Sequence, residues 1–109
     1  MFIPPAPRTE ETLLWYMVDF DLTLATSDPK NGFKPTGVIE ENIYKYMELI
    51  NNGYKCKIHT ARHWADVEMI EEFMKHYNLP HHGVICGKPL AKRYVDDKAI
   101  NADAETWLP

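Results

Sequence analysis

The chain has 109 residues, enough for one compact domain with a modest core. Its composition, 45% hydrophobic and 26% charged, is that of an ordinary globular protein rather than a disordered or fibrous one. The formal net charge of −4 argues against a dedicated nucleic-acid-binding module, whose footprint is normally basic.

Residues 1–12 carry Pro4, Pro5 and Pro7 and read as an extended arm in front of a single domain covering the 109 residues. This start lacks the basic and apolar regions of a signal peptide. Leu13 to Val18 then runs apolar without alternation and stops at a charge, the pattern of a strand buried on both faces of a parallel sheet. Residues 22–37 are rich in Thr, Ser, Asp, Asn, Pro and Gly and read as turns throughout. Val38, Ile39, Ile43, Tyr46, Met47 and Ile50 recur at helical spacing, and Asn51-Asn52-Gly53 ends that helix.

Tyr54–His59 alternates and predicts a second strand. Trp64–Tyr77 predicts a second helix, stopped by Asn78 and Pro80. Val84–Cys86 reads as a third strand and Tyr94-Val95 as a fourth, with Trp107 and Leu108 folding back on the body. Alternating strands and helices imply an α/β domain: a three-layer α/β/α, Rossmann-like arrangement with a mostly parallel sheet. Cys56 and Cys86 form no CxxC pair and lie in apolar stretches. Both read as buried free thiols of a protein of the reducing cytoplasm. No apolar run approaches a membrane span.

In such a fold, ligands bind beyond the carboxyl ends of the strands. At those ends stand Asp19, Asp21 and Thr23, then Thr60 and Arg62, then Lys88, then Asp96 and Asp97. A cluster of carboxylates repels itself unless a hard cation is present, and oxygen ligands of this kind suit magnesium. Asp19 could attack phosphorus and form an aspartyl-phosphate. Asp21 could protonate the leaving oxygen and then activate water. Thr60 and Lys88 would grip the phosphoryl group. Arg62 reads equally as a phosphate or substrate contact or as half of a surface pair. His59 ends a strand, so His59 and His63 do not make a helix-face metal pair.

The chain resembles the haloacid dehalogenase superfamily. Val18-Asp19-Phe20-Asp21-Leu22-Thr23 is similar to its first motif, DxDxT. Ile58-His59-Thr60 is similar to its second, Lys88 falls at its third-motif lysine, and Tyr94-Val95-Asp96-Asp97 is similar to its acidic fourth. The resemblance implies a magnesium-dependent phosphatase with Asp19 as nucleophile and metal ligand. Asp21 would be the acid/base and would also ligate magnesium, through its backbone carbonyl. Asp96 would be a ligand, and Asp97 a ligand or the partner of one. Thr23, closing the first motif, would contact substrate, as would Arg62 on the first of its two readings. Many members have Gly where this chain has Leu22. The intervals from Thr23 to Thr60 and from Thr60 to Lys88 leave no room for the usual cap domain. Gly83–Ile100 is similar to short phosphatases of capsular and sugar-phosphate biosynthesis, which implies a small phosphorylated substrate such as a sugar phosphate.

Two other readings compete. A non-catalytic member of the same fold would bind a phosphorylated ligand or a partner. A phosphatase of nucleotides or nucleic-acid ends would share the chemistry, although the acidic balance implies no stable nucleic-acid complex. A signalling receiver domain is set aside because the second strand ends at Thr60 and not at an aspartate. Self-association, as a homo-oligomer, is compatible with every one of these readings.

Overall fold

The computed structural model describes residues 14–109, so the arm expected over residues 1–12 lies outside the described residues. Strand β1 (Trp15–Val18) leads to β2 (Ala25–Asp28) and β3 (Lys34–Val38). Helix α1 (Glu40–Asn51), β4 (Lys55–His59), helix α2 (Val67–His76) and β5 (Val84–Ile85) follow. β1, β4 and β5 form a parallel sheet in that order, with Val18 opposite Ile58 and His59 opposite Ile85. Each helix returns the chain from the carboxyl end of one strand to the start of its parallel neighbour. The protein is therefore α/β and Rossmann-like, as its sequence implies.

Local chemistry explains the boundaries of the helices. Glu40 and Glu41 place negative charge in the first turn of α1, where the helix dipole favours it. Gly53 adopts φ 87° beyond its end, a conformation that costs glycine little. Lys75 and His76 occupy the last turn of α2. Asn78 then turns left-handed at φ 54°, and the Leu79 amide donates to the Met74 carbonyl at 2.8 Å. Tyr46 and Leu49 of α1 and Ile70 and Met74 of α2 join Val18, Cys56 and Ile58 in one buried cluster. Burying each such side chain contributes about 1.5–3 kcal/mol.

The first strand differs from its expectation. Val18 is buried, but Met17 is 46% exposed, so β1 is half-buried and not buried on both faces. On its other face Lys57 lays its ammonium 3.9 Å from the Trp15 ring centroid.

The turn-rich stretch 22–37 is not a plain loop: β2 and β3 pair antiparallel, with a register shift between Thr26 and Ser27. The turn residues gather at the tip of this hairpin. The Asp28 side chain accepts from the Lys30 amide at 2.9 Å, Pro29 opens a 3-10 turn, and Gly32 closes it at φ 66°.

The expected strand at Tyr94-Val95 does not form. Val95 is fully exposed and Tyr94 half exposed. Two apolar residues between Arg93 and Asp96 bury too little surface to hold a strand. Instead the Tyr94 hydroxyl donates to the Pro89 carbonyl, and its ring lies 4.6 Å from the Lys88 ammonium. The tail does fold back: Trp107 is buried, and the Tyr16 hydroxyl donates to its carbonyl at 2.7 Å. No helix among the described residues is long and apolar enough to cross a membrane.

Candidate active site

Beyond Val18 the chain reverses sharply. The Phe20 carbonyl accepts from the Leu24 and Ala25 amides at 2.9 and 3.0 Å, and Phe20 and Leu24 are fully buried. These anchors leave Asp19, Asp21 and Thr23 on the outer side of the turn, all of them only partly buried. Leu22 stands at φ 60°, the left-handed conformation in which glycine is at ease. A residue with a Cβ is strained there by about 1–2 kcal/mol. Leu22 is 74% exposed, so packing returns little of that cost.

Asp19 is gripped from two sides. Thr23 Oγ1 donates to its Oδ2 at 3.2 Å, and Lys88 Nζ lies 3.9 Å from its Oδ1. Burial raises the Asp19 carboxyl above its ordinary value, while Lys88, Thr23 and the Phe20 amide pull it back. Thr23 thus orients the nucleophile expected from sequence, and Asn42 of α1 fixes Thr23 by donating to its carbonyl at 2.8 Å.

Thr60 at the end of β4 is fully buried. Its amide donates to Ile85, and its carbonyl accepts from the Lys88 amide, both at 2.9 Å. Its hydroxyl accepts from the Arg62 amide at 3.1 Å. Thr60 is therefore the hinge pin of the site: it ties β5 to β4 and sets the directions of both Lys88 and Arg62. His59 beside it is held below the ordinary imidazole value, first by burial and then by the Lys88 charge.

The Arg62 side chain is only 13% exposed and forms the ion pair that is one of its two expected roles, in a sheltered setting rather than on open surface. Its Nε and Nη2 donate to the two oxygens of Asp21 at 2.9 and 2.8 Å, a bidentate fork. Nη1 reaches Asp66 at 3.3 Å, and Nη2 also donates to the Phe33 carbonyl at the hairpin tip. Hydrogen bonding to Asp21 holds the guanidinium above its ordinary value, against the opposing pull of burial. Sequence reasoning missed this fork. The signal lies in the strand register: with Val18 level with Ile58, the loops after β1 and β4 begin side by side.

Asp19, Asp21, Thr23, Thr60, Arg62 and Lys88 are thus brought together. Asp96 and Asp97 lie on the segment after β5. Both are exposed, Asp96 Oδ1 accepts locally from the Lys98 amide at 2.8 Å, and Asp97 lies 3.4 Å from Lys98 Nζ. Among the described residues no group of three or more His, Cys, Asp or Glu is placed to hold a metal ion. Of the magnesium ligands expected from sequence, Asp19 and Asp21 stand together beyond β1, and Asp96 and Asp97 lie on the exposed segment after β5.

Comparison with known proteins identifies a shared fold only. A crystal structure of an MCSG target from Vibrio cholerae superposes with a TM-score of 0.67. The two share 21% identity, over 81% of this chain and 83% of that one. No family model matches the chain, and no curated protein matches it.

Proposed function

We propose that this protein is a phosphomonoester hydrolase acting through an aspartyl-phosphate on Asp19. The observation that carries the reading is the setting of Asp19. It stands at the carboxyl end of β1, 37% exposed, with Thr23 on one oxygen and the Lys88 ammonium 3.9 Å from the other. Thr23 leaves Oδ1 to attack phosphorus as the bond to the ester oxygen breaks. Lys88 offsets charge on the phosphoryl group. Water then hydrolyses the acyl phosphate and returns Asp19 as a free carboxylate.

Asp21 carries the proton between leaving group and water. Its two oxygens are taken by Arg62. As Arg62 transfers to the incoming phosphate dianion, an anion that matches the same fork, Asp21 is released to take a proton from solvent and pass it to the leaving oxygen. The attacking water returns a proton to it in the second step. Magnesium dependence belongs to this proposal on the strength of the sequence motifs, and no step above runs through the ion. A cytoplasmic location belongs to it on the strength of the two free, buried cysteines.

The fork also favours a second reading, a non-catalytic module that binds a phosphorylated ligand. One experiment separates them: Asp19→Asn and Asp21→Asn proteins are mixed with an aryl phosphate, acid-quenched and weighed intact. A phosphoryl group should accumulate on Asp21→Asn and never on Asp19→Asn. Turnover by Asp19→Asn would end the proposal. The same assay on the unsubstituted protein, with magnesium and with excess chelator, tests the cofactor.

A further inference from the structure

We infer that the ester cleaved at this site carries a nucleobase, which makes its substrate a nucleotide phosphomonoester rather than a sugar phosphate. The inference rests on the hydrolase reading above and names its substrate class. Asp19 and Lys88 fix where the phosphoryl group sits, so the rest of the substrate extends over the neighbouring surface. That surface is the surround of Arg62. Phe33, whose carbonyl Arg62 holds, is 57% exposed, and Trp64, two residues beyond Arg62, is 55% exposed. Leu22, next to Asp21, is 74% exposed.

Two large rings, each more than half exposed, stand on the two segments that meet at Arg62 and lie outside the core cluster. They are suited to stacking on a flat base, which binds by its π face whatever its identity. A sugar is read by hydroxyl and amide groups, but the hairpin hydroxyls of Thr26 and Thr36 bond to each other at 2.8 Å. Charge agrees. Lys30 and Lys34 flank Phe33 on the hairpin, and Lys88, Lys92 and Arg93 lie on the loop after β5. The exposed glutamates Glu40, Glu41, Glu68, Glu71 and Glu72 stand on the helices instead. Asp21 and Asp66 pair with Arg62 and Asp19 lies against Lys88, so Lys30, Lys34, Lys92 and Arg93 are the cations of these segments available to a phosphate.

The test uses the full chain carrying Asp19→Asn, so that binding is read without turnover. Adenosine 5′-monophosphate, a 5′-phosphorylated hexanucleotide and glucose 6-phosphate are titrated against tryptophan fluorescence and by calorimetry. At least one nucleotide should bind roughly tenfold or more tightly than glucose 6-phosphate, and Trp64→Ala or Phe33→Ala should erase most of that preference. The tighter of the two nucleotides identifies the source, free mononucleotide or strand end. Equal binding of glucose 6-phosphate, or an unchanged preference in both variants, overturns the inference. Nucleotide binding by the Asp19→Asn chain, together with no ester hydrolysis by the unsubstituted protein, would instead overturn the hydrolase reading alone.

Discussion

Replacing Arg62 by alanine tests the central contact of the site. The substitution removes two short bonds to Asp21, a longer one to Asp66 and one to the Phe33 carbonyl. A sheltered charged hydrogen bond contributes about 1.5–3 kcal/mol, and an exposed ion pair about 0–1. Asp66 is 41% exposed, so its share is at the low end, and Asp21 at 32% lies between the limits. The expected loss is about 2 kcal/mol, which for a domain of this size lowers Tm by roughly 8 °C. Arg62→Lys keeps the charge without the fork and should recover less than half of that loss. Turnover should fall in both variants, because Asp21 loses its orientation and the hairpin its tie to the site. Differential scanning calorimetry and steady-state kinetics on the three proteins measure these effects. An Arg62→Ala protein with unchanged Tm and unchanged kcat would refute the reasoning, since a surface pair behaves that way.

Lys88→Ala should leave Tm nearly unchanged but lower turnover by about 10²–10³, the usual effect of removing one charge-stabilising group. A folded, fully active variant would remove Lys88 from the site. Leu22→Gly should hold or raise Tm, because it relieves the left-handed strain at φ 60°, while Leu22→Val should lower it by sharpening that strain. The reverse order would show that the turn is not strained. Burial pushes the Cys56 thiol up to about 12 and raises Cys86 as well. Neither side chain is then a thiolate at pH 8, and iodoacetamide should label the native protein at neither site but the urea-unfolded chain at both. Rapid labelling of the native chain would place a thiol at the surface.

The hydrophobic spacing by itself determined the order of β1, α1, β4, α2 and β5. Each of these elements buries a face whose period is written in consecutive residues, as with Cys56 and Ile58 on β4 or Ile70 and Met74 on α2. The placing of Asp19, Thr60 and Lys88 at strand ends was legible for the same reason. Tertiary structure decided the rest. The β2–β3 hairpin hides in turn chemistry because its strands are short, largely polar and bury little. Tyr94-Val95 looks like a strand because two β-favouring residues stand together, but isolated propensity does not outweigh the charged residues around them. The grip of Arg62 on Asp21 joins residues far apart in the chain. It exists only because β1 and β4 are neighbours in register, and strand adjacency is a property of the packed sheet that no local pattern encodes.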